Sequence, residues 1–404
     1  MKKFNFHVKP IGLLDMLNFK KLVPNRTQAL AEGSPERATA SYEVNKLATY
    51  LHPKSQQAEI TEIIEHGEIA KTFILSGKEL APFRAGQYLS VKLEIGKSIL
   101  TRPFSISSSP KWVKEGKYAL TIKRAPNGFA SDWILENWKV GTKVSVSGPE
   151  GVFYYEPLRD SKNVVCIAGG SGITPFLSMA YAIRDGIEDF NMTILYGSCT
   201  ENEILYKKEL DQITENCDKV KVIHVLSKEQ SSCYEFGFIT SEIIEKYAEG
   251  EYSVFMCGPS VMYDFVGKEL EKLSLKSKFI RREMLAAPSS PKKFKEYKGK
   301  IDKEFKLTVK RFGEVLIVPM KAEETVLIAL ERAGIAVPSK CRGGECGFCR
   351  SRLESGEIFT PDELDARRIA DIKEGYIHPC CTYPLSDLVI EVWPEQGEQY
   401  EEKH

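Results

Sequence analysis

The spacing of apolar positions along the chain changes character three times. From residue 57 to about 157, apolar and polar residues alternate in short runs: AEITEIIEHG, KTFILSG, QYLSVKLEIG, YALTIKRA and KVSVSGPEG. A period of two, interrupted regularly by Gly, Pro and Asn, predicts a small antiparallel barrel or sandwich. Beyond residue 162 come unbroken apolar runs, NVVCIAGG, TILYGS, KVIHVLS and YSVFMCGP. Helix-period stretches lie between them: PFLSMAYAIRDG, NEILYKKELDQI and PSVMYDFVGKELEKL. Buried strands alternating with helices predict a parallel sheet covered on both faces. A piece rich in Pro, Ser and Lys, residues 287–300, reads as a linker. FKLTVKRFGEVLIVPM then predicts a hairpin turning at Phe312-Gly313. ETVLIALERAG predicts a helix that buries Val326, Ala329, Leu330 and Ala333 and ends at Gly334. Ahead of all this, residues 1–55 show little alternation and close in one short helix candidate, YEVNKLATYLHP. The expected organisation is an extension (1–55), a barrel (56–157), an α/β domain (158–286), the linker (287–300) and a small α+β domain (301–398).

Charge and cysteine usage narrow the chemistry. Among 404 residues, 56 basic and 56 acidic side chains cancel, so no global field favours nucleic acid or an anionic membrane. No window approaches the roughly 18 apolar residues of a membrane span. His7, Lys9 and Asp15 interrupt any signal-peptide core, so a cytoplasmic protein is expected. Ten cysteines are too few for a disulfide scaffold, yet five of them (Cys341, Cys346, Cys349, Cys380 and Cys381) fall between residues 341 and 381. Such clustering points to metal.

The spacing Cys341-x4-Cys346-x2-Cys349, with a fourth cysteine at 380 or 381, is the plant-type [2Fe-2S] pattern. One tight loop must bring three thiolates to two irons. Gly343, Gly344 and Gly347 let its backbone wrap closely and aim N–H groups at the sulfurs. Zinc is the alternative metal, but its usual C-x2-C pairs and Cys/His sets do not match. Ala168-Gly169-Gly170-Ser171-Gly172-Ile173-Thr174-Pro175 follows an apolar strand and opens a helix, the setting of a phosphate-cradling turn. Pro175 stands where the dinucleotide fingerprint has its third glycine. His224, within KVIHVLS, reads as a satisfied sheet residue rather than a ligand.

Arg102-Pro103-Phe104-Ser105, followed by Gly128-Phe-Ala-Ser131, resembles the flavin signature of the ferredoxin–NADP reductase family. The Gly-Gly-x-Gly-Ile-Thr-Pro turn and Cys257-Gly258-Pro259 resemble its nicotinamide elements, and Glu283 its carboxylate after the last strand. Residues 304 to about 395 resemble a plant-type ferredoxin. The order of the three parts is that of the phthalate dioxygenase reductase type. The resemblance implies an antiparallel β-barrel flavin domain, an α/β parallel-sheet nicotinamide domain and an α+β ferredoxin domain of β-grasp type. It implies that Arg102 pairs with flavin phosphate, that Phe104 lies on the ring system and that Ser105 bonds near N5. Ser131 and its helix N-terminus would serve a pyrophosphate, which favours FAD over FMN. Thr174 and Cys257 would lie at the nicotinamide, with Ser105, Cys257 and Glu283 as the catalytic set. Cys380, ahead of Thr382-Tyr383-Pro384, fits the fourth ligand, leaving Cys381 as bystander.

NADH is expected over NADPH. Tyr196 to Thr200 offer no cation for a 2′-phosphate and Glu201 and Glu203 follow, although Lys207 and Lys208 lie a turn or two further on. The expected function is electron transfer from NADH through FAD and the [2Fe-2S] cluster to a partner redox enzyme. The partner would dock on an acidic ferredoxin domain, since thirteen acidic residues face five basic ones from residue 351 onward. A reductase of small acceptors and a redox-sensing subunit without turnover are the alternatives.

Overall fold

The computed structural model describes residues 43–125, 128–283 and 290–393, together with residues 17, 18 and 28. Most of the extension, Met284, Leu285 and the tail from residue 394 lie outside the described residues. Residues 1–50 form one unit and 51–404 another. Helix α1 (Glu43–Leu51) forms within the expected segment YEVNKLATYLHP and leaves Val44, Leu47 and Tyr50 exposed.

Six strands build the barrel: β1 (Gln56–His66), β2 (Ala70–Ser76), β3 (Tyr88–Ile95), β4 (Ser98–Ser105), β5 (Lys117–Lys123) and β6 (Lys143–Val146). They pair antiparallel in the order β4-β3-β6-β1-β2-β5. The two edges meet where Ile106 bridges Leu120 and the Ser107 N–H donates to the Ala119 carbonyl at 2.9 Å. Strand β4, SILTRPFS, was not expected, because it lacks alternation and contains a proline. Pro103 is tolerated because β4 pairs in the sheet with β3 alone. Phe73, Leu75, Leu89, Tyr118 and Leu120 fill the interior, and Ile134 and Leu135 of helix α2 (Phe129–Asn137) pack against them. That helix begins two residues ahead of the expected Ser131, which places Ser131 in its first turn.

The second sheet is parallel: β7 (Asn163–Gly169), β8 (Asn191–Ser198), β9 (Val220–Leu226), β10 (Glu235–Phe236), β11 (Tyr252–Cys257) and β12 (Ile280–Arg282), ordered β10-β9-β8-β7-β11-β12. The chain steps outward from β7 to β9 and returns on the other side at β11. This reversal opens a crevice outside the carboxyl ends of β7 and β11, where such sheets bind ligands. Helices α3 (Thr174–Arg184), α4 (Lys207–Asn216), α5 (Ser241–Tyr247) and α6 (Ser260–Glu271) connect the strands. The helix expected over NEILYKKELDQI starts only at Lys207 because Tyr206 sits at φ 60°. Its hydroxyl enters the barrel wall and bonds Thr72 at 2.5 Å and Thr121. Helix α5 was too short for its period to show; the Thr240 hydroxyl caps it. A buried ion pair, Arg281 to Asp160 at 2.9 Å, fastens β12 to the connector from the barrel. The same guanidinium donates to the Val152 carbonyl at 3.0 Å and to that of Tyr154 at 2.5 Å.

The third sheet mixes β13 (Glu304–Arg311), β14 (Glu314–Lys321), β15 (Ser351–Ser355), β17 (Tyr376–Ile377) and β19 (Leu388–Glu391) in the order β14-β13-β19-β15-β17. A small ladder joins β16 (Ile358–Phe359) to β18 (Tyr383–Pro384). The expected hairpin turns at Phe312 and Gly313, both at positive φ. Helix α7 (Val326–Arg332) buries Val326, Ala329 and Leu330 as its period predicts. Ala333, expected on that face, is exposed, whereas Glu331 is buried. Helix α8 (Ile369–Lys373) lies beside β17. Phe294, in the stretch read as a linker, is buried with its ring 6.0 Å from Phe359 and 6.3 Å from Tyr383. Among the described residues no helix is long and apolar enough to cross a membrane.

Candidate active site and metal centre

Strands β7 and β11 end side by side, and glycine is what lets them. A Cβ on Gly172 would overlap the Cys257 carbonyl, and one on Gly169 would lie 2.8 Å from both Met262 Sδ and Pro259 Cδ. Gly170 takes φ 52°, and the Tyr196 hydroxyl donates to its carbonyl at 2.9 Å. The Thr174 hydroxyl folds back onto the Ser171 carbonyl at 2.9 Å, so no side chain caps the N-terminus of α3. Pro259 leaves the start of α6, beside Gly258, equally uncapped. Two helix N-termini without side-chain caps therefore meet at the crevice, which suits the phosphates of a dinucleotide.

Three expected residues from distant parts of the chain meet there. The Ser105 hydroxyl, at the end of β4, donates to Glu283 Oε2 at 3.0 Å, and Cys257 Sγ lies 3.8 Å from the same oxygen. The Glu283 N–H is held by the Met256 carbonyl at 3.0 Å, and the Tyr263 hydroxyl donates to the Glu283 carbonyl. Burial pushes the Glu283 carboxyl up to about 8, against the pull of its Ser105 and Cys257 hydrogen bonds; Glu345 adds to the rise. Burial, and then the Glu283 charge, push the Cys257 thiol well above its ordinary value. At neutral pH the site thus holds a protonated carboxyl and an intact thiol.

A stability prediction follows from this shift. The folded chain keeps on Glu283 a proton that the unfolded chain releases near its ordinary value of 4.5. The corresponding stabilisation is full below 4.5 and is lost as pH rises towards 8. Glu283→Gln removes that dependence. In thermal melts from pH 5 to 9, the variant gains several degrees relative to the parent as pH rises to about 8, then holds constant. A gap that stays the same at every pH would contradict the shift.

Arg102 lies on β4, with Pro103 buried and Phe104 half-buried. Its Nη1 donates to the Thr101 carbonyl at 2.8 Å and faces the Glu331 carboxylate at 3.3 Å. Among the described residues Nε and Nη2 take no protein acceptor, so that edge of the guanidinium suits a phosphate. Burial, then the neighbouring Arg342 charge, lower the Arg102 pKa to about 10, which leaves it charged at neutral pH. Gly128 precedes α2 without a side-chain cap, and a Cβ there would overlap the Ser131 hydroxyl.

The four cysteines of the expected ligand set lie near one another, with Cys381 against Cys380. Cys341 pairs with Cys346, and Cys349 with Cys380, each pair within hydrogen-bond reach. Two pairs match the need of two irons for two thiolates each. Backbone N–H groups point at the sulfurs: Gly343 and Cys346 to Cys341 Sγ, each at 3.4 Å, Phe348 to Cys346 Sγ at 3.5 Å, and Gly344 to Cys380. Donors so placed stabilise negative sulfur. The Cys381 thiol instead turns to the carbonyls of Leu364 and His378, at 3.6 and 3.5 Å. Gly344 sits at φ 88°, where a Cβ would strike the Leu364 carbonyl. The buried ring of His378 donates from Nδ1 to the Gly344 carbonyl at 2.7 Å and pins the loop, a role that its place in the sequence does not show. Nothing near His378 in sequence announces that contact, which spans 34 positions. His224 departs from expectation in the other direction. It is buried between the Tyr196 and Tyr234 rings, and neither ring nitrogen has a hydrogen-bond partner among the described residues.

Three family models match the chain in succession. An oxidoreductase FAD-binding domain covers residues 59–155, an oxidoreductase NAD-binding domain 166–268 and a 2Fe-2S iron-sulfur cluster binding domain 312–385. The chain belongs to the ferredoxin–NADP reductase superfamily, in its phthalate dioxygenase reductase form. It is an electron-transfer oxidoreductase of FAD, NADH and a [2Fe-2S] cluster. NADH-cytochrome b5 reductase 1 of Dictyostelium discoideum is 31% identical to this reductase over 217 residues, 52% of this chain and 74% of that protein. The glycine betaine monooxygenase reductase subunit of Pseudomonas aeruginosa is 28% identical over 330 residues, 76% of this chain and 87% of that protein. The solved phthalate dioxygenase reductase shares the fold at a TM-score of 0.60 and 24% identity, over 84% of this chain and 98% of that one.

Proposed function

We propose that this reductase is the electron-supplying component of a two-component system, taking hydride from NADH and delivering single electrons to a partner oxygenase or other reductive enzyme. The observation that carries this is the meeting of Ser105, Cys257 and Glu283 with the cluster loop in one unit, where Glu345 lies close enough to act on the Glu283 carboxyl. When bound, FAD accepts a hydride and releases its electrons one at a time, and the cluster carries them singly. Arg102, Pro103, Phe104, Ser105, Gly128 and Ser131 would hold the flavin. Gly169, Gly170, Gly172, Thr174, Cys257, Gly258 and Pro259 would hold the coenzyme. Cys341, Cys346, Cys349 and Cys380 would hold the irons. Within this arrangement Cys257 and Glu283 keep water from the nicotinamide face. Glu283 holds a proton at its carboxyl, and Ser105 links that carboxyl to the flavin edge.

Glu201 supports NADH. Its carboxylate is fixed by the Tyr234 hydroxyl at 2.6 Å just beyond β8, and Lys207 is shared between Asp211 at 3.1 Å and Glu201 at 4.0 Å. A 2′-phosphate arriving there meets negative charge. Glu201→Gln is expected to raise kcat/KM for NADPH about tenfold, the effect of removing one repulsion of about 1.4 kcal/mol, with NADH little changed. Equal effects on both coenzymes would remove Glu201 from the choice.

The acceptor would dock on the ferredoxin domain. Glu357, Asp362, Glu363, Glu374 and Asp387 are exposed, whereas Glu354, Asp365 and Asp371 are neutralised by Lys310, Arg367, Arg350 and Arg368. That surplus would steer a basic partner face. A cytoplasmic location belongs to the same proposal, since none of the ten cysteines is in a disulfide. The test is single-turnover oxidation of the NADH-reduced enzyme by a candidate partner, compared with free flavin, ferric ion and quinone. A dedicated partner should react at least about a hundredfold faster than bulk acceptors, as steered protein association allows. Comparable rates would favour a stand-alone reductase of small acceptors.

A further inference from the structure

We propose that Glu331 is a positioning residue which, through an Arg102–Glu331–Arg342 relay, sets the flavin-phosphate arginine and the cluster loop together. This rests on the reading of Arg102 as the flavin-phosphate ligand and adds a residue that no flavin or cluster motif contains.

Glu331 lies on α7 and is 4% exposed, so its carboxylate needs partners of opposite charge. It has two, Arg342 and Arg102. Arg342 grips it with both ends of the guanidinium fork, Nη1 to Oε1 at 2.5 Å and Nη2 to Oε2 at 3.1 Å. Arg102 approaches with Nη1 alone, 3.3 Å from Oε2 and 3.4 Å from Oε1. Both arginines also reach the Thr101 carbonyl, at 2.8 Å from Arg102 and 3.4 Å from Arg342. The two guanidiniums are therefore neighbours that repel, and one buried carboxylate keeps them side by side.

The partners belong to different redox sites. Arg342 stands between Cys341 and Gly343 at φ 58°, a strained position for a side chain as large as arginine. Its bidentate contact to Glu331 is the interaction that holds it there. Arg102, on the barrel strand, spends one nitrogen on Glu331 and Thr101 and presents Nε and Nη2. That is the geometry for a bidentate phosphate contact. One glutamate on the helix between the domains thus aims the arginine at flavin phosphate and fixes the backbone that carries the first cluster cysteine. The three charges sum to one positive charge, which remains available to the phosphate. Through this relay, loading flavin at Arg102 is felt at the cluster loop, and the coupling acts equally in both directions.

The test uses full-length protein with its cluster intact and its flavin removed, titrated with FAD and with riboflavin, which has no phosphate. Glu331→Gln should weaken FAD about tenfold, the size of one charge-assisted hydrogen bond, and change riboflavin less than about twofold. In the parent, adding FAD should shift the EPR g-values of the reduced cluster; in Glu331→Gln that shift should vanish. Arg342→Lys, which keeps the charge and loses the fork, should give the same pattern more weakly, and it serves if the glutamine variant does not fold. FAD binding that tightens in Glu331→Gln, or FAD and riboflavin weakened alike, would overturn the relay. Arg102→Met separates the two claims. If it leaves the ratio of FAD to riboflavin affinity unchanged, the phosphate reading of Arg102 has failed. If it abolishes the preference while Glu331→Gln does not, only the relay has.

Discussion

Cys380→Ser abolishes the visible absorbance and reduced-state EPR signal of the cluster, while Cys381→Ser leaves both in place. The two residues are adjacent and both buried, so burial does not distinguish them. Their partners do. Cys380 faces Cys349 and accepts a hydrogen bond from the Gly344 N–H, and the contacts with Cys349, then Cys381, then Gly344 pull its pKa well below the ordinary thiol value against burial. Cys381 turns its thiol to the carbonyls of Leu364 and His378, and its contact with Cys380, then burial, drive its pKa upward. A thiol already donating to carbonyls must break those bonds to ligate iron. The expected loss in Cys380→Ser is essentially complete, because serine is a poor ligand for a site built around thiolate. The flavin spectrum should survive, since the barrel core is separate from that of the ferredoxin domain. Loss of the cluster in Cys381→Ser, with retention in Cys380→Ser, would reverse the assignment.

Gly172→Ala, a change of one methyl group, is expected to slow reduction of the flavin by NADH at least about a hundredfold, since a displacement of about 1 Å at reacting groups costs that much. The new Cβ meets the backbone carbonyl of Cys257, which no rotamer change can move aside. Relief requires β7 and β11 to part at their carboxyl ends, carrying Thr174 one way and Cys257 the other. The contacts of Glu283 with Cys257 and with the Met256 carbonyl are on the moving side, so the proton-holding carboxyl shifts as well. Flavin content and the EPR spectrum after chemical reduction should match the parent, because the nearest atoms to the new Cβ belong to Cys257 and Gly258. Stopped-flow absorbance at the flavin band reads the rate. A parent-like rate would mean that the glycine serves packing alone.

Most of the scaffold was legible where apolar runs carried a clear period. Strands β7, β8, β9 and β11 and helices α3, α6 and α7 lie within a few residues of the segments that predicted them. The misses share a cause: the deciding partner is far away in sequence. Strand β4 hides its pattern because Pro103 occupies a sheet edge and Arg102 turns towards another domain. Tyr206 ends a helical pattern early because its hydroxyl is drawn into the barrel. Ala333 and Glu331 exchange expected environments because two arginines approach the flank of α7 that a simple apolar face would leave to water. The candidate site divides in the same way. The cysteines, glycines and the Arg-Pro-Phe-Ser segment announce themselves by spacing, since loops around clusters and phosphates admit few alternatives. His378, Tyr263 and Glu331 act through single hydrogen bonds or ion pairs from remote segments, and local pattern does not encode such pairs.

The central claim is that one polypeptide turns the electron pair of NADH into single electrons at an iron–sulfur centre. Anaerobic titration of the as-purified protein with NADH, followed by absorbance and EPR together, tests it most directly. The account predicts that the flavin band bleaches and that the EPR signal of a reduced [2Fe-2S] cluster grows in the same titration, without a partner protein present. A flavin that bleaches while the cluster stays oxidised, although dithionite reduces it, would contradict the account.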